Sequence, residues 1–443
     1  MATAPLSSSW GFLAAWTALV GPAGAPPPLR RRGRRPRVPI AHLLAALTWH
    51  ILQPVGTLHD HLAQLFDDTL TDSAWADRRQ RLPWAVFAEL LAAALQPRAD
   101  AATHPEAFWR GWRLLAIDGT QFSLRNTPAI TAVTRKARTR RGPAAFAKLT
   151  AAVLLELGLH NPVAAAIAQA GESEWALAQQ LLPALPPGAL VLADRLYGVT
   201  AFAQAAAAAC AAVGSHVLLR ASRSVTPIAR TPLADGSWHV QLAIRDPQRP
   251  ARIVDTLTLR EIRVRVQRPG ARASEIRLWT TLLDPATAPA LELAQLYTRR
   301  WEHELYFREL KRTLRRTTLL QSQTVATAAQ EVAALLLASA VLAGERTRAA
   351  DTAEARVPVL HVPFGQVLTI VRGLWLAFSA FDDLIPPTLK AQMIARAYTR
   401  MRDTLTRPRP GRTAPRAVRQ PVAGWPRLLT PRTETAPVEL LLV

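Results

Sequence analysis

Two short apolar runs, each followed directly by an aspartate, constrain the fold of this chain more than any other feature. Residues 114–117 read LLAI and precede Asp118, and residues 189–193 read ALVLA and precede Asp194. Uninterrupted apolar runs of this length are typical of strands that are buried on both faces of a sheet. Both runs therefore predict core strands, and each strand would deliver a carboxylate to the edge of the core.

The segments around these two strands predict an α/β order. Apolar periodicity and turn residues indicate the succession strand, strand, strand, helix, strand, helix, strand. In chain order, the segments are 114–117, 146–157, 163–168, 172–182, 189–193, 199–213 and 216–219. We expect the turn that ends the first strand to be Asp118-Gly119, because this dipeptide is a frequent turn pair.

The rest of the chain divides by its periodicity. Residues 40–112 have apolar side chains at three- and four-residue spacing, which predicts short helices. Residues 221–282 alternate instead, which predicts strands at 238–244, 253–259 and 262–266 in an all-β insertion. Helices are expected again at 288–316, 325–344 and 367–379. The predicted segments are a disordered Pro/Arg-rich arm (1–39), a helical DNA-binding domain (40–112), a catalytic domain (113–323, with the insertion at 221–282), C-terminal helices (324–403) and a Pro/Arg-rich tail (404–443).

The charge balance indicates a polyanionic partner. The chain has 54 Lys and Arg residues against 32 Asp and Glu residues, a net charge of +22. Such an excess is typical of nucleic-acid binding, because each neutralised phosphate releases counterions. No apolar run reaches the ~18 residues that span a bilayer, so we expect no membrane partner. A single cysteine, Cys210, excludes a disulfide framework and a Cys-rich zinc site, and it suits the reducing cytoplasm.

Two segments concentrate the basic residues. The predicted N-terminal arm would add affinity for DNA without specificity. Its arginines are Arg30, Arg31, Arg32, Arg34, Arg35 and Arg37. A predicted helix at 74–82 carries Arg78, Arg79 and Arg81 on its polar side, and we expect these three side chains to be exposed. A short helix of this kind suits the DNA major groove, but a generic helical bundle has the same pattern, so both interpretations stay open.

Asp118 and Asp194 are weak indicators of a site when each is taken alone. Magnesium binds one or two protein carboxylates together with waters and substrate phosphates, and an aspartate at a strand end can serve in this way. An aspartate after an apolar strand more often begins a turn or caps a helix. For either residue alone, the turn interpretation is favoured.

Residues 297–311, which read YTRRWEHELYFRELK, supply a third acidic residue. On an α-helix with about 100° per residue, Tyr297, Arg300, Glu304 and Lys311 fall within one arc of about 60°, and Arg308 borders it. Glu304 would complete a metal site, while Arg300 and Lys311 would hold DNA phosphates beside it. A solvated helix face with ion pairs at i,i+4 spacing gives the same pattern.

Three motifs together resemble the DDE transposases of bacterial insertion sequences, in particular the large family numbered 4. That family carries a Tyr-x2-Arg-x3-Glu-x6-Lys signature, which this chain matches at Tyr297, Arg300, Glu304 and Lys311. The first aspartate of the family lies in an apolar-Asp-Gly-Thr context, matched by residues 117–120. The second lies in an Asp-Arg-x-Tyr-Gly context, matched by residues 194–198. The resemblance covers roughly residues 38–380.

The resemblance implies a ribonuclease-H-like core that is interrupted by the β-rich insertion. It implies that Asp118, Asp194 and Glu304 hold two Mg²⁺ ions, with Mn²⁺ as a substitute, and that the enzyme cleaves the ends of its element and joins them to target DNA. A homodimer is expected because two ends must be brought together. No small-molecule substrate is expected.

Further DNA-contacting residues are candidates on the same grounds. They are Tyr297, Arg300, Lys311, Arg308, Arg195, Trp279, Arg78, Arg79 and Arg81. Some relatives flip a base onto a tryptophan of the insertion, and Trp279 is the candidate here, although the core role of an ordinary buried tryptophan is favoured over stacking.

Two other functions share these features. A metal-dependent nuclease of the same fold would cleave DNA without strand transfer, and an inactive DNA-binding derivative would tend to lose at least one of the three acids, all of which are present here.

Overall fold

The computed structural model describes residues 10–24, 37–53, 55–139, 142–267, 274–315, 317–351, 356–406 and 439–442. The α-helices are α1 (Phe12–Val20), α2 (Ile40–Leu52), α3 (Leu58–Phe66), α4 (Asp72–Arg81), α5 (Trp84–Ala94), α6 (Pro128–Val133), α7 (Glu174–Leu181), α8 (Thr200–Ala212), α9 (Ala290–Tyr297), α10 (Trp301–Arg308), α11 (Val325–Ala350), α12 (Phe364–Phe381) and α13 (Pro387–Arg402). The strands are β1 (Phe108–Trp109), β2 (Trp112–Ser123), β3 (Arg138–Thr139), β4 (Gly142–Pro143), β5 (Lys148–Glu156), β6 (Asn161–Ile167), β7 (Ala189–Ala193), β8 (His216–Arg220), β9 (Ala229–Pro232), β10 (Trp238–Arg245), β11 (Ile253–Gln267), β12 (Ser274–Thr280) and β13 (Glu439–Leu442).

These elements form two compact units. Among the described residues, unit 1 contains those up to Ala184 and those from Glu302 to residue 406. Unit 2 contains those from Leu185 to Trp301 together with β13. The division therefore falls inside α10, one residue after its start. The predicted helical and catalytic segments do not coincide with the units, because α2 to α5 and the first core strands belong to the same unit.

The seven predicted elements occur in the predicted order, but the helix α6 and the short strands β3 and β4 lie between β2 and β5 and were not predicted. In unit 1, β5 pairs antiparallel with β2 and with β6, and α7 follows. In unit 2, β7 and β8 are parallel and are connected by α8, as a strand–helix–strand crossover requires. The run at 189–193 forms β7 with the predicted bounds, and all five of its residues are buried.

Helix α11 is the core element of unit 1. Most of its 26 residues are buried, and it packs against α2, α5, α12, α13 and β6. By length and composition alone, α11 and the segment Phe364–Leu384 are apolar enough to cross a membrane. For α11, however, 89% of the apolar window is buried within the protein, which is the pattern of a core helix, whereas the figure for the second segment is 33%.

The N-terminal segment differs from the predicted disordered arm. Residues 12–20 form α1, in which Phe12, Trp16 and Leu19 are buried. Trp10 donates its indole N–H to the hydroxyl of Tyr398 (2.9 Å). The order arises because these aromatic side chains complete the helical core of unit 1, which no local pattern reveals. Residues 25–36, with all of the predicted arm's arginines except Arg37, lie outside the described residues.

The segment at 221–282 forms strands in unit 2, as predicted, but with different strand bounds. Strand β11 is continuous over Ile253–Gln267 where the sequence predicted two strands, and it pairs with β10, β12 and β13. Strands β9 and β13 were not predicted, and β13 lies in the segment expected to be a Pro/Arg-rich tail. The sequence between residues 407 and 438 lies outside the described residues.

A buried ion-pair cluster connects α11 to the segment that follows α10. Arg346 of α11 donates to the backbone oxygens of Leu360 and Val362 and to the carboxylate of Glu309 (3.3 Å). The other oxygen of Glu309 contacts Nδ1 of His160 at 2.7 Å. Burial disfavours the charged form of Glu309, but His160 and Arg346 outweigh it and hold the pKa of this carboxyl below its usual value.

We expect Arg346→Leu to lower the free energy of unfolding by about 3–5 kcal/mol, because it leaves the Glu309 carboxylate buried with only one partner. Urea denaturation followed by circular dichroism measures the loss. Arg81→Leu is the control, because Arg81 is exposed and has only an i,i+4 partner at 3.6 Å, so its effect should stay within about 0.5 kcal/mol. Equal losses in the two variants would contradict the assigned role of Arg346.

Candidate active site

Asp118 lies inside β2 and not at the end of a strand, so the predicted Asp118-Gly119 turn is wrong. Strand β2 continues to Ser123, and Asp118 is paired with Val153 of β5. The antiparallel ladder with β5 overrides the local turn preference of the dipeptide. The four preceding residues are buried, whereas Asp118 is half-buried, and one of its carboxylate oxygens accepts the backbone N–H of Gly119 (2.9 Å).

Gly119 is required by a close approach and not by a turn. A Cβ atom at this position would overlap the carboxyl group of Glu174, the first residue of α7. A second acidic side chain of unit 1 therefore lies directly against the strand that carries Asp118. Sequence analysis missed Glu174, and the only signal that pointed to it was a glycine inside a strand.

Asp194 follows β7 directly, as predicted, and begins a turn. Its carboxylate accepts the backbone N–H of Arg195, and its backbone oxygen accepts the N–H of Tyr197 (3.0 Å). Asp194 is half-buried and Arg195 is exposed, whereas the Tyr197 ring is completely buried against Phe202. The motif at 194–198 thus combines two outward-facing polar residues with residues that fix the turn.

Tyr297 and Arg300 also belong to unit 2. Tyr297 ends α9, is buried, and donates its hydroxyl to the backbone oxygen of Ala193 (3.2 Å), the residue before Asp194. It therefore fixes the end of β7. Tyr297 was predicted to contact DNA, and a contact through this hydroxyl would require that hydrogen bond to break. Arg300 is half-buried and ends a 3₁₀ helix at Thr298–Arg300.

The predicted arc on one α-helix is wrong, because residues 297–311 span three kinds of helix. The 3₁₀ turn at Thr298–Arg300 precedes α10, and a π-helix occupies Glu309–Leu314. A 3₁₀ helix turns further per residue than an α-helix, and a π-helix turns less, so a constant 100° does not apply. Glu304 is half-buried on α10, Arg308 is exposed at its end, and Lys311 lies in the π-helix.

Lys311 occupies a basic, partly buried position in unit 1. Its ammonium group donates to the backbone oxygen of Gln121 (2.9 Å) and lies 5.1 Å from the centre of the Phe122 ring. Burial lowers its pKa to about 8, and the neighbouring charges of Arg315 and Lys148 contribute to the same shift. Burial and the neighbouring positive charges destabilise the charged form of Lys311. A phosphate bound next to it would stabilise that form.

The donor chemistry of the three predicted ligands suits magnesium. Asp118, Asp194 and Glu304 are carboxylates that are neither deeply buried nor fully exposed, and hard oxygen donors of this kind are what Mg²⁺ prefers. Within the part of the chain that the structure describes, no group of three or more His, Cys, Asp or Glu side chains is arranged to hold a metal ion. Asp118 and Glu304 belong to unit 1, and Asp194 belongs to unit 2.

Comparison with known proteins decides the family. The sequence profile described as "Transposase DDE domain" matches residues 109–341, which include all three acidic residues. This chain belongs to the DDE transposase family. It is 30% identical over 271 residues to the transposase InsG for insertion sequence element IS4 of Escherichia coli (strain K12). The match covers 60% of this chain and 59% of that relative, so the chain spans about three fifths of the relative's length.

A solved structure is also similar. It is the cryo-EM structure of a piggyBac transposase synaptic complex with hairpin DNA, with a TM-score of 0.42 and 10% identity over 91% of this chain and 87% of that chain. The predicted membership in the DDE transposases of the insertion-sequence family numbered 4 is confirmed by the family profile and by the identity to InsG.

Trp279 of this transposase is a core residue in the structure. Its side chain is completely buried on β12, and its indole N–H donates to the Glu261 carboxylate (3.0 Å). The stacking role would require the ring to leave this position. The geometry therefore favours the core interpretation of Trp279 over base stacking.

The exposed basic face predicted for α4 is reduced to one arginine. Arg79 donates to Gln330, Ser322 and the backbone of Thr327, and Arg78 donates to the backbone oxygen of Val38 (2.7 Å). Only Arg81 is exposed, and its partner is Asp77 at 3.6 Å. The difference arises from tertiary packing, because α4 packs against α11 with the side that would face solvent in an isolated helix.

A substitution at Gly198, the last residue of the motif at 194–198, tests the packing of the turn after Asp194. A Cβ atom at Gly198 would overlap the backbone oxygen of Arg220, which cannot move aside as a side chain can. We expect Gly198→Ala to cost about 3 kcal/mol of unfolding free energy, measured by thermal and urea unfolding. The control is Gly373→Ala in α12, where a Cβ would meet nothing and helix propensity predicts a gain of up to about 1 kcal/mol. A neutral Gly198→Ala would show that the turn is not packed as described.

Proposed function

We propose that this transposase cleaves the ends of its own insertion sequence and joins the 3′ ends to target DNA, with Asp118, Asp194 and Glu304 as its metal-binding carboxylates. The observation that carries the proposal is the match to the transposase domain over 109–341, within which all three acids stand in the expected motifs. Strand transfer distinguishes this function from that of a nuclease with the same carboxylates.

A ribonuclease-H-like core is part of the proposal. It is supported by the antiparallel strands β2, β5 and β6 in unit 1, and by the parallel pair β7 and β8 in unit 2. The β-rich insertion between β8 and α9 supports it as well, because the resemblance implies an insertion at that place, ahead of the glutamate helix.

Two Mg²⁺ ions, when bound, would activate the attacking oxygen and stabilise the departing 3′ oxygen. The residues of this chain prepare that chemistry. Backbone N–H groups of Gly119 and Arg195 each hold one carboxylate oxygen of the preceding aspartate, which restricts the orientation of both ligands before a metal binds. Tyr297 acts as a positioning residue, because its hydroxyl holds the backbone that leads into Asp194.

Basic residues around the acids would grip the DNA backbone. We propose Arg300, Lys311, Arg308 and Arg195 for this role, since charge-assisted hydrogen bonds to phosphate are the strong ones. Sequence-specific recognition would belong to the helices α2 to α5, with Arg81 as the exposed arginine of α4. We propose that the partner is double-stranded DNA and that the active species is a homodimer. The site of action would be the nucleoid in the bacterial cytoplasm.

The acids are tested by Asp118→Asn, Asp194→Asn and Glu304→Gln, each examined for excision of the element with its native flanking sequence. We expect each variant to lose at least about a hundredfold in cleavage rate, because a lost ligand charge removes transition-state stabilisation. DNA binding without metal should stay within about twofold. Asp383→Asn, the same change at an exposed residue of unit 1, should leave both activities unchanged. A variant that still nicks DNA in Mg²⁺ would remove its residue from the site.

Strand transfer needs its own measurement. Joining of pre-cleaved element ends to a target plasmid should occur with the unaltered chain in Mg²⁺ or Mn²⁺. Cleavage without any joined product would instead identify a nuclease. Absence of both, with tight DNA binding, would identify an inactive DNA-binding derivative.

The lowered pKa of Lys311 predicts a pH dependence of DNA binding. Because the pKa lies at about 8, the ammonium group loses its proton as the pH rises through that value, and its attraction for phosphate is lost. DNA affinity, measured by fluorescence anisotropy without metal, should therefore fall above a pH of about 8. In Lys311→Arg the fall should be smaller, since a guanidinium stays charged. Parallel profiles for both proteins would show that Lys311 does not contact phosphate.

A further inference from the structure

Unit 2 contains an open cleft of about 250 Å³ beside the strand end that carries Asp194. We call it the arginine cleft, because its lining includes Arg195, Arg220, Arg223 and Arg277. These arginines come from the turn after β7, the end of β8, the loop that follows β8, and β12. Glu275 is the one carboxylate among the described lining residues, so four guanidinium groups face a single negative charge.

The arginines of the cleft differ in what they already bind. Arg277 is held in place, because it donates to the backbone oxygens of Ser222 (2.6 Å) and Val225 (3.0 Å) and lies 3.6 Å from the Glu261 carboxylate. The side chains of Arg195, Arg220 and Arg223 make no hydrogen bond or ion pair with another residue in the described part of the chain. Three of the four arginines that line the cleft thus have no anionic partner within the described part of the chain.

The walls of the cleft are held rigidly by backbone contacts. Ala221 donates its N–H to the backbone oxygen of Arg277 (2.8 Å), and Ser222 donates to that of Gly198 (2.7 Å). Arg220 is paired with Leu278 of β12. These contacts join the turn after Asp194, the end of β8 and β12 into one frame. The backbone positions from which the four arginine side chains project are consequently fixed relative to one another, which lowers part of the entropy cost of binding an anion.

We propose that the arginine cleft binds consecutive phosphates of a DNA duplex that lies across its opening. The inference rests on the proposed function, and extends it with a DNA-backbone site formed by unit 2 alone. Several guanidinium groups with one carboxylate favour a polyanion, because each can donate two parallel hydrogen bonds to a phosphate. The cleft volume is slightly below the ~300 Å³ at which small-molecule pockets begin, and the cleft is open to solvent. Both features favour a DNA backbone lying across the opening over an enclosed small ligand.

The position beside Asp194 gives the site its purpose. Arg195 lines the cleft and is the residue next to Asp194. Phosphates held here would therefore be close neighbours of the bond that is cut, and the cleft would set the position of the strand relative to Asp194. Base edges play no part in such contacts, so the binding should be independent of sequence.

The test compares the full chain with Arg220→Gln/Arg223→Gln in binding a labelled duplex of random sequence without divalent metal, across a salt series. Each phosphate contact contributes about 0.9 to the slope of log affinity against log salt, so the double variant should lose about 1.8. Arg220→Lys/Arg223→Lys should largely retain the slope, because the charge is kept. Arg245→Gln/Arg249→Gln, two exposed arginines of unit 2 outside the cleft, should retain it as well.

Several outcomes would overturn the proposal. One is an unchanged slope in Arg220→Gln/Arg223→Gln, and another is an equal loss in the Arg245/Arg249 control. Competition by pyrophosphate that depends on the cleft arginines, with an unchanged DNA slope, would assign the cleft to a free phosphate ligand. Unfolding curves of all variants show whether each one folds. The lysine double variant replaces the same two side chains, so a loss caused only by altered packing would occur in it as well. Since no cleavage is measured, failure of the catalytic proposal would leave this result unaffected.

Discussion

The buried carboxylate of Glu309 is the interaction on which the geometry of unit 1 depends. Placing a charge in a protein interior costs several kcal/mol unless partners compensate it, and Glu309 has Arg346 on one oxygen and His160 on the other. It is also the first residue of the π-helix at Glu309–Leu314. The cluster therefore ties this unusual turn to α11, and through it fixes where Lys311 lies, above Phe122 and against the backbone of Gln121.

The motif residues divide into those that do chemistry and those that hold them. Asp118, Asp194 and Glu304 are the candidate ligands. Tyr297 is buried with its hydroxyl on the backbone of β7, and Gly198 lets the turn after Asp194 approach the end of β8. A family motif can therefore preserve a residue for its packing as well as for its contact with substrate, and only burial and hydrogen bonding separate the two.

Much of the fold was predictable because it is local. A fully apolar run of five residues has few alternatives to a buried strand, and β7 has the predicted bounds. The main strands and helices from β2 to β8, the strands of segment 221–282 and the helices α2 to α5 followed from periodicity in the same way, whereas α6, β3 and β4 were missed. The errors occurred where neighbours distant in the chain decide the outcome. Pairing with β5 keeps β2 extended beyond Asp118, and contacts with α11 bury much of Arg79.

The sequence by itself determined the residue types and spacings that identify the family, the α/β order and the excess of positive charge, because these depend on composition and short-range periodicity. Only the tertiary structure decided which cations are engaged inside the protein and which face solvent. Arg79, Arg277 and Arg346 are bound by backbone oxygens, whereas Arg195 and Arg223 are exposed. The physical reason is that burying a guanidinium costs free energy unless hydrogen-bond acceptors from other segments compensate it. Those segments are distant in the chain, so no local sequence pattern shows where they meet.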